Sequence, residues 1–126
     1  MATFVLVHGS WAGSVVWREL APRLRKAGHE VYAPTLTGLG SRKHLLNREI
    51  DLDTHIQDVI GVIDDADLSD IVLVGNSYGG MVISGVAESR RLRAGERTIL
   101  CQPVAARRAS CHGAWRGLAG SADTLG

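Results

Sequence analysis

The sequence predicts an α/β fold: a parallel sheet of three to four strands with flanking helices, built from 126 residues. Three observations carry this. Short apolar runs alternate with stretches of helical period from residue 4 to residue 88. The run Ile71-Val72-Leu73-Val74 is apolar throughout, as a strand buried on both faces requires. A tight glycine-rich stretch, Gly75-Asn76-Ser77-Tyr78-Gly79-Gly80, then leads straight into a helical pattern.

In chain order, Phe4-Val5-Leu6-Val7 is the first strand, and it ends in the small-residue loop His8-Gly9-Ser10-Trp11-Ala12-Gly13. Such a loop lets backbone amides approach a ligand. Trp17, Leu20, Ala21, Leu24 and Ala27 share one helical face, with Gly28 where a C-terminal glycine belongs and Pro22 marking a kink or the firm start. Val31-Tyr32-Ala33 is the second strand, stopped by Pro34, and Thr35 to Asn47 reads as a loop. Asp51, Asp53 and Thr54 cap a second helix whose buried stripe is Ile56, Val59, Ile60 and Ile63. Its other face, Gln57, Asp58, Asp64 and Asp65, is expected to be solvated, and no histidine joins these acids at metal-ligand spacing. After the third strand, Met81, Val82, Ile83, Val86 and Ala87 make the third helix apolar. Right-handed crossovers then give a parallel sheet.

Composition bounds the function. At 45% hydrophobic and 21% charged residues the chain has a globular balance, and no apolar run approaches the ~20 residues of a membrane span. The start lacks the pattern of a secretory signal, so a cytoplasmic location without membrane association is expected. Cys101 and Cys111 give no disulfide framework; free thiols are expected, with a single bridge as the alternative. Residues 1–88 carry seven Lys and Arg against eleven Asp and Glu, a net −4, whereas residues 89–126 carry seven Arg against two acids, a net +5. That basic tail holds Trp115 as its single aromatic for stacking bases, so no nucleic-acid binding is expected. Thr98-Ile99-Leu100-Cys101 is its one candidate strand; the remainder is rich in Arg, Ala and Gly and without period.

Gly75, Ser77 and Gly79 form a Gly-x-Ser-x-Gly pattern, and the preceding strand and following helix supply the context that its mechanics need. A strand turning sharply into a helix strains the apex residue and pushes its hydroxyl outward, which flanking glycines permit. Ser77 is therefore the candidate nucleophile. The helix start places unpaired N–H groups beside it, so the Tyr78 amide is a candidate oxyanion donor. No Gly-x-Gly-x-x-Gly follows the first or third strand, which argues against dinucleotide binding, and no cofactor or metal is expected.

Together the segments Phe4 to Gly9, Ala33 to Gly40, Asp51 to His55 and Val72 to Val82 resemble the α/β-hydrolase superfamily, and within it the bacterial esterases related to plant methylesterases and hydroxynitrile lyases. The resemblance covers about residues 2–88. It implies a partial α/β-hydrolase fold, a small-molecule ester as substrate, and Ser77 as nucleophile. It further implies an oxyanion hole made by the backbone amides of Ser10 and Tyr78, an acyl pocket bordered by Trp11 and Tyr78, and supporting roles for His8, Gly9, Gly75 and Gly79. Asn76 stands where these esterases commonly have histidine.

The family's acid and histidine follow the serine. Glu88 or Glu96 and then His112 complete the order formally, yet 35 positions from Ser77 to His112 leave no room for the intervening strand–helix units of ~30 residues each. His44 and His55 are expected at the surface. The expectation is thus an amino-terminal hydrolase half over residues 1–88, with residues 89–126 an atypical tail, disordered or translated in another reading frame, and with low or no activity in this chain. Alternatives are a hydroxynitrile lyase-like scaffold, or a non-catalytic fragment that forms a homo-oligomer through an exposed sheet edge.

Overall fold

The computed structural model describes residues 2–90 and 96–101. Four strands, β1 (Thr3–Val7), β2 (Glu30–Tyr32), β3 (Ile71–Asn76) and β4 (Arg97–Cys101), form one sheet in the order β2-β1-β3-β4. Every pairing is parallel: Phe4 lies opposite Val31 on one side and Val72 on the other, and Val74 lies opposite Ile99. The fourth strand falls within the basic tail, at the one place there with strand character. No helix among the described residues is long and apolar enough to cross a membrane.

Alternation along the strands divides the core in two, since successive side chains leave opposite faces. Val5, Val7, Ile71 and Leu73 pack with Ile56, Val59 and Ile63 of α2 (Leu52–Asp65) and Val82, Ile83 and Val86 of α3 (Tyr78–Arg90). On the opposite face Phe4, Leu6, Val72 and Val74 meet Trp17 and, from α1 (Leu20–Lys26), Ala21 and Leu24. The continuous apolar strands are those that need cover on both sides.

Three local readings need correction. The first helix does not run unbroken from Trp17. Ser14–Trp17 is a separate 3₁₀ turn, and α1 starts at Leu20 with Pro22 in its first turn, where a missing N–H costs no helical hydrogen bond. Its end is a Schellman motif: Gly28, at φ +93°, donates to the Arg25 carbonyl and His29 to the Leu24 carbonyl. The segment read as loop contains a 3₁₀ stretch, Gly40–Leu45, and Arg42 ties it back through a 2.9 Å bond to the Thr35 carbonyl. Asp58 is not simply a solvated acid. It accepts from the Thr37 amide (2.7 Å) and hydroxyl (2.8 Å), pinning that segment to α2. The start of α2 is a capping box between Asp51 and Thr54, whose amide and hydroxyl hold the Asp51 carboxyl below the usual carboxylate range.

Candidate active site

Ser77 stands at the C-terminal end of β3 and immediately before α3, exposed, with φ +55°. A left-handed backbone is costly for any residue with a Cβ, and it persists only where the surroundings impose it. Here they do. A Cβ on Gly75 would run into the Gly79 carbonyl, and one on Gly79 into the carbonyls of Val7 and His8. Both glycines are thus required by close backbone approach, and the turn they allow aims the Ser77 side chain away from the core.

The first loop abuts this turn. A Cβ on Gly9 would lie 3.1 Å from the Asn76 carbonyl oxygen and 3.3 Å from the Ser77 Cβ. The strands supply the reason, because β1 and β3 are paired through Val7 and Gly75 and therefore end side by side. Ser10 and Trp11 follow, both exposed; Trp11 is 83% accessible at φ +61°.

His8 is fully buried beneath that loop. Its Nε2 accepts from the Leu36 amide at 3.0 Å, so the ring proton sits on Nδ1 and is donated to the Gly9 carbonyl at 2.8 Å. Burial, the larger influence, and the nearby His55 hold its pKa below the ordinary 6.5, against a smaller upward pull from the Gly9 bond. A planar trans peptide points its C=O and N–H in opposite directions. Fixing the Gly9 carbonyl therefore fixes the direction of the Ser10 N–H in the same peptide. The Ser77–Tyr78 peptide is held in the same way, through a 2.9 Å bond from the Gly80 amide to the Ser77 carbonyl.

His55 corrects the expectation of a surface histidine: it is buried, at 6% exposure. Its Nε2 faces the Thr37 carbonyl at 2.9 Å and must carry the proton, so Nδ1 accepts from the Tyr78 hydroxyl at 2.7 Å. The rings meet edge to face, with centroids 5.6 Å apart. Desolvation, with a smaller contribution from Asp51, raises the Tyr78 pKa and keeps the phenol a donor. A signal was present in the sequence. His55 falls four residues before Val59 and beside Ile56, on the buried stripe of α2.

His44 is exposed, as expected. Both ring nitrogens of His8 and of His55 are engaged, and among the described residues no histidine hydrogen bonds to Ser77. Glu96, one of the acids that formally completes the order, lies at the other end of the sheet. It is buried, paired with Arg90 at 3.1 Å and accepts from the Ile71 amide, whereas Ser77 follows the opposite end of β3. Glu88 is exposed on α3. His112 and Cys111 lie outside the described residues, as does the side chain of Cys101. No group of three or more metal-binding side chains occurs among the described residues.

A parallel sheet with helices on both faces, and a strained serine where a strand turns into a helix, define a hydrolase-type scaffold. The chain belongs to the alpha/beta hydrolase family, whose model matches residues 4–125. It is 57% identical over 88 residues to the carbendazim hydrolyzing esterase of Nocardioides sp. (strain SG-4G), covering 70% of this chain and 36% of that protein. It is 36% identical over 90 residues to the polyneuridine aldehyde esterase of Rauvolfia serpentina, covering 68% of this chain and 33% of that one. Among solved structures, an extracellular alpha/beta-hydrolase from a Paenibacillus species superposes with a TM-score of 0.70 at 39% identity, over 79% of this chain and 40% of the other. The chain thus spans about a third of the length of the curated relatives it matches.

Proposed function

We propose that these residues form the nucleophile and oxyanion half of a serine-dependent carboxylic-ester hydrolase site. The observation that carries the reading is Ser77 itself: exposed, left-handed in φ, and seated between two glycines that admit no side chain. In this reading the Ser77 Oγ attacks the ester carbonyl carbon, and the carbonyl oxygen gathers negative charge as the tetrahedral intermediate forms. The amides of Ser10 and Tyr78 then donate to that oxygen, in a geometry prepared before substrate arrives. Collapse of the intermediate expels the alcohol and leaves an acyl-serine, which water hydrolyses.

A hydroxyl is a weak nucleophile until a base takes its proton. The two buried histidines do not fill that role, because their nitrogens are committed to Gly9, Leu36, Thr37 and Tyr78. The activating histidine and its acid are accordingly assigned outside the described residues. Support for an ester as substrate comes from two relatives that are themselves named esterases, one of them 57% identical. Incubating the purified chain with an activated aryl phosphonate and mapping the adduct by peptide mass spectrometry tests the reading. A slow adduct, of the kind that an oxyanion hole without its base still supports, is expected on Ser77 and absent from Ser77→Ala; a folded chain that stays unmodified would count against it.

A further inference from the structure

Two buried histidines of opposite tautomer brace the neighbouring residues Leu36 and Thr37, where the chain leaving β2 enters a turn, and each reaches a different half of the candidate oxyanion hole. His8 takes the Leu36 N–H on Nε2 and gives Nδ1–H to the Gly9 carbonyl. His55 gives Nε2–H to the Thr37 carbonyl and takes the Tyr78 O–H on Nδ1. Leu36 is itself fully buried, and Thr37 is held by both oxygens of Asp58. The segment is thereby fixed from three sides.

From this juxtaposition we infer that His55 is a positioning residue for the Tyr78 side of the oxyanion hole, with Leu36–Thr37 as the strut that sets its spacing from the Ser10 side. The inference rests on the serine-esterase reading above and deepens it. Tyr78 carries a candidate donor on its backbone and an anchor on its side chain. Holding the phenol on His55 fixes the first residue of α3 against α2, where an amide would otherwise follow every movement of the helix start. The Thr37 carbonyl passes that constraint to Leu36, and Leu36 passes it through His8 to the Gly9–Ser10 peptide. Neither ring touches the reacting atoms. Both work by keeping two N–H groups, on segments 68 residues apart in sequence, at one separation.

The substitution His55→Gln keeps both hydrogen bonds, since the amide oxygen accepts from Tyr78 and the amide N–H donates to Thr37; His55→Leu loses both. Tyr78→Phe removes only the hydroxyl and leaves the backbone donor in place. The measurement is the phosphonate labelling rate of Ser77 per folded molecule in the full chain, alongside the backbone amide NMR signals of Ser10 and Tyr78. His55→Leu and Tyr78→Phe are expected to slow labelling by roughly tenfold and to shift both amide signals, as a displaced oxyanion donor should. His55→Gln is expected to label within about threefold of the parent, by retention of the same bonds. Equal rates in parent and His55→Leu overturn the inference, as do unmoved Ser10 and Tyr78 amides. If His55→Leu fails to fold, Tyr78→Phe carries the same comparison. If the parent itself takes no label, the esterase reading fails while the amide shifts still decide the role of His55: shifts restored by glutamine support it, and their absence refutes it.

Discussion

The two ends of the sheet bury polar groups for different purposes. At the N-terminal ends of β3 and β4, Glu96 is sealed against Arg90 and the Ile71 amide, and at the start of β1 the Ala2 amide donates to His29. Those contacts close the fold and leave nothing presented outward. At the C-terminal ends His8 and His55 are buried too, yet the serine that follows β3 there is exposed. In open α/β sheets ligands bind beyond the carboxyl ends of the strands, because there the helix starts and loops present free N–H groups. Burial of polar groups is thus common to both ends, and so is a positive φ, at Asp67 and Asp70 before β3 as at Trp11 and Ser77; what distinguishes the carboxyl end is an exposed serine on a turn whose glycines admit no side chain.

That contrast can be broken at several points. The largest effect is expected at the carboxyl end from Gly79→Ala. Its methyl would collide with two backbone carbonyls that cannot step aside, so a loss of about 3 kcal/mol or more is expected in urea unfolding. At the other end, Arg90→Met strips the guanidinium from a buried carboxylate, with an expected cost of ~3 kcal/mol by the same measurement. Here the lost stability should come without any change in the reactivity of Ser77 in the molecules that remain folded.

Acid should weaken the carboxyl end through His8. Its pKa is lower in the fold than the ordinary 6.5, so below that value the unfolded chain binds more protons than the folded one. The stability it confers is complete above pH 6.5 and falls as pH drops towards the lowered folded pKa, by up to about 1.4 kcal/mol per pH unit for one proton. Burial also lowers the His29 pKa and adds in the same direction. Comparing denaturant midpoints across pH for the parent and His8→Gln isolates the His8 share, which the variant should lack. The smallest effect is a gain. Gly61 lies exposed within α2 and a methyl there meets nothing, so Gly61→Ala should stabilise by roughly 0.5–1 kcal/mol in the same assay.

Much of this was legible in the sequence, and the limit is physical. The strands announced themselves because apolar runs covered on both faces leave no other reading for Val72 to Val74, and the Gly28 stop and the elbow glycines depend on local backbone geometry. The misread residues are those whose partners come from far along the chain. His55 bonds to Tyr78 and Asp58 to Thr37, 23 and 21 positions away, while Glu96 reaches back 25 to Ile71. A polar side chain on an amphipathic helix reads as solvated until the fold brings its partner. The stripe position of His55 was the one clue.

The most direct test sets the two ends against each other on one reporter, the phosphonate labelling of Ser77 normalised to folded protein. Labelling should occur in the parent, persist per folded molecule in Arg90→Met, and fall roughly tenfold in His55→Leu, where only the carboxyl end is disturbed. A folded parent that takes no label, or equal labelling in all three, would contradict a site built at the carboxyl ends of the strands around Ser77.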